Sequence, residues 1–204
     1  MKHATSRELY NYWQRLRRSR PAPRRSEVEP SDIRTILGDT FILEVANRDC
    51  FPIRLAGTRW CALHGREMKG DDFLDLWSAA DRNAVATLAT AVSSDAAGAV
   101  ISTEARSAQG RSVLCETMLL PLRHSGPDYD RILGSWAAFE RPYWLGSDPV
   151  VRHKLTSLRL LWPDDVPTFM RRRTDPAGPN APIPFPPPRG RRHGHLTVLD
   201  GGKI

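Results

Sequence analysis

Apolar and polar positions divide the chain into a helical opening, a mixed centre, a run of strands and a polar end. Over residues 5–20, Leu9, Trp13 and Leu16 recur at i, i+4 and i+7 with Arg7, Arg15, Arg17 and Arg18 around the rest, which predicts an amphipathic helix. Thr5 and Glu8 have capping-box spacing at its start. Such a stripe must bury against its own domain, a second copy, a partner groove or a membrane surface. Pro21 and Pro23 then break the helix and make a linker over 20–25. A short helix starts at Pro30 and carries Ile33, Ile36 and Leu37 until Gly38. Phe41 to Ala46 and Pro52 to Ala56 read as two antiparallel strands joined by a turn at 47–49.

The run from Arg54 to Trp77 organises the rest. Gly57 ends a strand, Thr58 suits an N-cap, Trp60 and Leu63 share a short helical face, and Gly65 stands where a C′ glycine ends that helix. Gly70, Asp71 and Asp72 punctuate again before Phe73, Leu74, Leu76 and Trp77, so short helices are expected to fold over a sheet face. Residues 81–93 form a further helix with Val85, Leu88, Ala89 and Val92 on one side and Asp81 at its positive end. Three strand-like runs follow at 99–107, 111–122 and 130–140, with loops short enough for an antiparallel meander. In the third, Ile132, Gly134, Trp136 and Ala138 share one face and Leu133, Ser135, Ala137 and Phe139 the other. Neither face is strongly charged, which predicts a central strand covered on both sides. Leu155 to Trp162 is either an edge strand or a strip docked on the surface.

Composition changes this picture mainly at the ends. With 204 residues and 40% hydrophobic content, one ordinary core is affordable but part of the chain stays unpacked. The net charge of +7 is uneven: 1–25 carries +7, 26–162 carries −3 and 163–204 carries +3. The mildly acidic centre argues against a nucleic-acid groove there, and leaves the basic ends as the place for nucleic acid or an acidic partner. Nine of the 17 prolines fall in 163–204, which predicts a disordered Pro/Arg-rich tail with polyproline II character. The expected organisation is therefore 1–25 basic helix and linker, 26–162 folded domain, and 163–204 tail. Cys50, Cys61 and Cys115 have neither disulfide-framework nor zinc-site spacing. No stretch approaches about 18 apolar residues and the opening lacks a leader's apolar core, so a cytoplasmic protein without a membrane span is expected.

The order helix, hairpin, short helices, longer helix and meander resembles the PAS fold: an α+β domain with a five-stranded antiparallel sheet, strands in the order 2-1-5-4-3, and helices cupped on one face. The run Arg54-Leu55-Ala56-Gly57-Thr58, then Leu63, Gly65, Arg66, Glu67, Met68 and Gly70, then Phe73, Leu76 and Trp77, is similar to the stand-alone PAS-like proteins common in alphaproteobacteria. Trp13, the Pro30 helix start and Pro142, Trp144, Leu145 and Gly146 fit the same pattern, and the resemblance spans roughly residues 8–160. It implies a sensory or regulatory adaptor that acts through a protein partner, gated by a small ligand, and no enzyme. It further implies a ligand pocket between helices and sheet and a homodimer built on the N-terminal helix.

The pocket candidates are Trp60, Leu63, His64, Arg66, Phe73, Leu88, Leu114, Trp136 and Phe139, most of them equally well explained as core. The interface candidates are Leu9, Trp13 and Leu16. No haem or flavin is expected. The resemblance places a proximal His on the longer helix, where 81–93 has none, and the surroundings of Cys61 differ from the flavin-reactive motif. His64 reads as a solvated or locally bonded helix-end residue, Cys61 as an inert thiol, and Arg54, Arg66 and Glu67 as an ion network. Asp71 and Asp72 point apart and serve as cap and solvated charge. No hydrolase, kinase or metalloprotease motif is present, and His193 and His195 are too few for a metal site. The alternative function is a nucleic-acid-associated regulator using the basic arms.

Overall fold

A computed structural model of the chain describes residues 1–126, 128–162, 191–193 and 196–198. Three α-helices lie in the main unit: α1 (Ala4–Arg17), α2 (Thr58–His64) and α3 (Arg82–Asp95). Six strands accompany them: β1 (Thr40–Glu44), β2 (Ile53–Ala56), β3 (Gly98–Ser107), β4 (Ser112–Leu122), β5 (Arg131–Ala138) and β6 (Val150–Leu161). Short 3-10 turns at Pro30–Ile33 and Phe73–Leu76 fill the connections.

All strand pairs are antiparallel and the sheet order is β2-β1-β5-β4-β3-β6. The expected five strands stand in the expected order, but the count is corrected to six. β6 is added on the free side of β3, so the edge-strand reading of the segment near Leu155–Trp162 is the right one, with the strand starting earlier, at Val150. Its apolar side is hard to read because the register slips between Ser102 and Thr103 and again between Arg106 and Ser107. Val150, His153, Leu155, Leu158 and Leu160 end up facing one way at spacings of three and two.

Both faces of the sheet are covered, for a reason visible in β5. Ile132 and Trp136 enter the core beneath α2 and α3, whereas Leu133 enters a second core beneath α1. The same alternation sends Phe41 and Leu43 one way and Ile42 the other. Gly134 lets Phe41 lie on the strand itself: a Cβ there would come within 2.2 Å of the Phe41 ring.

α1 differs from expectation at its start. His3 is the N-cap, its Nδ1 accepting from the Thr5 N–H at 3.1 Å, and Glu8 accepts from the Thr35 hydroxyl, so the Thr5–Glu8 capping box is not formed. Glu116 of β4, buried in the sheet, accepts the backbone N–H groups of Lys2 at 2.8 Å and His3 at 3.0 Å and anchors the helix. At α2, Gly57 rather than Thr58 is the N-cap, while Gly65 ends the helix in the left-handed conformation at φ 66°.

A second compact unit spans Arg173–Ile204. Within it β7 (Arg191–His193) pairs antiparallel with β8 (Leu196–Val198). The disordered-tail expectation for 163–204 otherwise falls outside the described residues. No helix among the described residues is long and apolar enough to cross a membrane.

Candidate functional site

The inner face, between the sheet and α2, holds a cage of aromatic rings. Phe41 stacks on Trp60 at 4.4 Å and on Phe73 at 5.5 Å, and Phe73 meets Trp77 edge-on at 5.7 Å. Strand alternation aims Phe41 and Trp136 inward, α2 supplies Trp60, and the turn at Phe73–Leu76 is fixed by Asp72, whose Oδ1 accepts from Leu74 N–H at 2.9 Å and Phe51 N–H at 3.1 Å. Inside the cage is a cavity of about 10 Å³ bordered by Phe41, Trp60, Phe73, Trp77, Thr117, Trp136 and His153. That is the space of about one water molecule.

Two histidines meet at this cage. His64 Nδ1 is 3.0 Å from the Trp60 carbonyl oxygen and its Nε2 is 3.2 Å from Nε2 of His153. They are 5% and 3% exposed. Burial, with lesser opposing effects from the Trp60 carbonyl and Asp71, holds His64 below its ordinary pKa; burial and the neighbouring ring push His153 down to about 3. The indole nitrogens of Trp60, Trp77 and Trp136 and Nδ1 of His153 are buried without a hydrogen-bond partner. Each such group costs roughly 1–3 kcal/mol when left unmet. Their concentration around one small cavity sets this part of the core apart.

Trp136 also borders a second, open space of about 690 Å³ between α2, the end of β5 and the connection to β6. Its walls include Leu63, Phe139 and Leu145, with Arg59, Arg141 and His3 among the polar members. Arg59 is held by Asp39 through two contacts of 2.7 Å, and Arg141 stands at the rim.

The structure thus brings together Trp60, His64, Phe73 and Trp136 of the pocket candidates, and puts Leu63 and Phe139 on the open groove. Leu88 packs in the core under α3. Leu114 is corrected: it is 57% exposed, because β4 turns that position away from the inner face toward solvent. Arg66 is corrected too, being paired with Asp71 outside the cage. Arg54 pairs with Glu44, and Glu67 accepts from Lys69 N–H at 3.2 Å and lies 3.6 Å from Cys61 Sγ, so these are separate contacts rather than one network. Of the two readings of His64, the locally bonded one holds, through the Trp60 carbonyl, and the solvated one does not, since the ring is buried. The interface expectation changes most. Leu9 and Trp13 lie wholly inside the second core, Trp13 Nε1 donating to the Pro121 carbonyl at 2.8 Å, and Leu16 is partly buried against the same core. The stripe is therefore taken up by the chain's own sheet. Part of the N-terminal basicity is engaged as well, Arg20 bonding Glu27 at 2.9 Å.

Sequence reasoning missed His153, Trp77, Phe41 and Thr117 as cage members. Phe41 and Trp77 were visible as apolar residues of predicted elements, whereas His153 lay outside the segment marked as strand. Cys61 is half-buried with its thiol pushed up, chiefly by burial, and no group of three or more His, Cys, Asp or Glu among the described residues is placed to hold a metal.

A family model described as "PAS domain" matches residues 1–137. No curated protein matches the chain. Among solved structures, a light-oxygen-voltage domain described with a flavin analogue aligns at 17% identity and a TM-score of 0.42, covering 55% of this chain and 85% of that one. A LOV protein of Rhodobacter sphaeroides aligns at 13% identity and 0.41, covering 57% and 71%. The PAS domain of an HTR-like protein from Haloarcula marismortui aligns at 17% and 0.38, covering 53% and 90%.

Proposed function

This chain belongs to the PAS domain family, a family of sensory and regulatory domains, and we propose that it serves as an adaptor whose contact with a protein partner is gated by a small ligand in the inner cage. The observation that carries the reading is the set of unmet polar atoms around the cage: three indole N–H donors and one imidazole nitrogen. A core built only for stability leaves such atoms paired or replaces them with apolar groups. A small molecule carrying a hydroxyl answers both needs, accepting from an indole and donating to the imidazole.

Trp136 is the natural gate, because it borders both the small cavity and the larger groove. Turning it aside joins the two spaces and gives a ligand a way in. For the partner, β6 exposes Val151 and Leu158 beside Arg152, Lys154 and Arg159, and beyond His153 and Leu155, which bond Ser78 and Asp81, its outer edge among the described residues is suited to an added acidic strand.

Native mass spectrometry of the intact chain, purified under mild conditions and then titrated with phenol and benzyl alcohol as probes, tests the reading. A retained or added small mass in the wild type that is lost in His153→Phe, which takes away the imidazole acceptor, supports it. Bare protein throughout, with no thermal shift from either probe, overturns the ligand gate.

A further inference from the structure

We propose that His64 and His153 form a proton-operated latch that holds the end of α2 against β6 when neutral and releases it when protonated. The proposal goes beyond the ligand-gated reading and does not depend on it.

Hydrogen-bond chemistry fixes the proton positions. A carbonyl only accepts, so the 3.0 Å contact with Trp60 requires a proton on His64 Nδ1. His64 Nε2 is then a lone pair, and the 3.2 Å contact across to β6 requires His153 to donate from its own Nε2. His153 Nδ1 is left bare and has no partner. The Nε2–Nε2 bond needs a lone pair on one of the two rings, so it is lost when both rings carry a proton there.

Among the described residues no carboxylate is hydrogen-bonded to either ring. From α2 and the chain just after it, Arg66 opposes protonation of His64 and Asp71 favours it. The turn leading to α3 contributes Trp77, β5 contributes Trp136 and β4 contributes Thr117, all uncharged. The charged influence on His153 comes from His64 alone. A proton on either ring is therefore buried without a carboxylate in contact, and a second proton removes the acceptor that joins the rings.

The pair spans elements that can part. α2 has seven residues, and Gly65 directly after His64 lies against Pro149 just before β6. Among the described residues β6 pairs with one strand, β3, and is held on its other side by a bridge from Trp77 to His153 and by Asp81 accepting Leu155 N–H at 2.9 Å. His153 also ties the turn before α3, its carbonyl accepting Ser78 N–H at 3.0 Å.

In an opened form both imidazoles regain an ordinary pKa of about 6.5, whereas closed His153 is down at about 3 and His64 is lowered by burial. The opened form thus binds more protons, and the closed form loses ground as pH falls below about 6.5. Between pH 7.5 and 5.5 His153 alone raises the opening equilibrium about tenfold, His64 adds to this in the same direction, and above pH 7.5 the effect vanishes.

Hydrogen exchange on the full chain, corrected for the intrinsic pH dependence of exchange, reads this directly in peptides covering α2 and β6. The expected result is an increase in opening of about tenfold or more from pH 7.5 to 5.5 in the wild type, and none in His64→Phe/His153→Phe, which keeps the ring contacts. Should the double variant fail to fold, ¹⁵N imidazole spectra of the wild type decide: His64 protonated at Nδ1 and His153 at Nε2, neither titrating near 6.5 while closed, is the expected pattern. Either ring titrating near 6.5 in the closed form, the opposite tautomers, or a pH-independent opening overturns the latch.

Discussion

Gly134→Ala should be among the most damaging single-methyl additions in this protein. The new Cβ would stand 2.2 Å from Cε2 and Cζ of Phe41, far inside contact distance, and the obstructing atoms belong to a ring rather than to a mobile side-chain tip. Phe41 has little freedom to yield, being wholly buried with Trp60 at 4.4 Å and Phe73 at 5.5 Å. Strand β5 is equally confined, since β1 bonds it on one side and β4 on the other. Overpacking a rigid core costs about 1–3 kcal/mol, and the absence of any slack here places the expected loss at the upper end, about 3 kcal/mol. For a domain of this size that lowers Tm by roughly 6–12 °C. Urea denaturation of the wild type, Gly134→Ala, Phe41→Leu and the double variant separates the clash from other effects. Phe41→Leu removes the clashing ring atoms, so the double variant should be more stable than the sum of the single losses by about 1 kcal/mol or more. Strict additivity, or a Gly134→Ala protein with the wild-type midpoint, would refute the packing of Phe41 on β5.

Trp13→Ala should cost about 3–5 kcal/mol in urea unfolding, as expected for a buried indole, rather than split a dimer; a wild-type midpoint with a changed mass by light scattering would restore the interface. Glu116→Gln should loosen the start of α1. Burial alone would raise this carboxyl, but the Lys2 and His3 N–H groups hold it below its ordinary value. Its stabilising contribution is therefore present above the usual carboxylate range and fades as pH falls through it, and limited proteolysis near residue 5 should quicken in the variant. Cys115, its thiol pushed up to about 12 chiefly by burial, should resist Ellman's reagent at pH 8 until the protein unfolds, whereas labelling in the native state would show an open core.

How far the sequence reached is clearest in the strands. β5 could be placed at the centre because Ile132, Leu133 and Trp136 leave neither of its faces charged, and the meander followed from short loops. β6 could not be placed with the same assurance. Two register slips break the alternation on which a strand is recognised, and an edge strand has polar residues where a central one cannot. The apolar stripe of α1 was legible as a stripe, but the identity of what covers it was not. Any apolar surface satisfies Leu9 and Trp13, and only the folded chain shows that β4 and β5 reach them first.

The sequence by itself determined the helices, the hairpin, the meander and the family pattern of Arg54–Trp77, because these depend on local periodicity, turn residues and capping that a chain carries wherever it goes. Tertiary structure decided what those elements do together. His64 and His153 are 89 positions apart, and only the pairing of β6 with β3 beside α2 sets their rings 3.2 Å from each other. Burial then turns two ordinary imidazoles into neutral ones. Such a property belongs to an environment assembled from distant segments, and no stretch of sequence contains it.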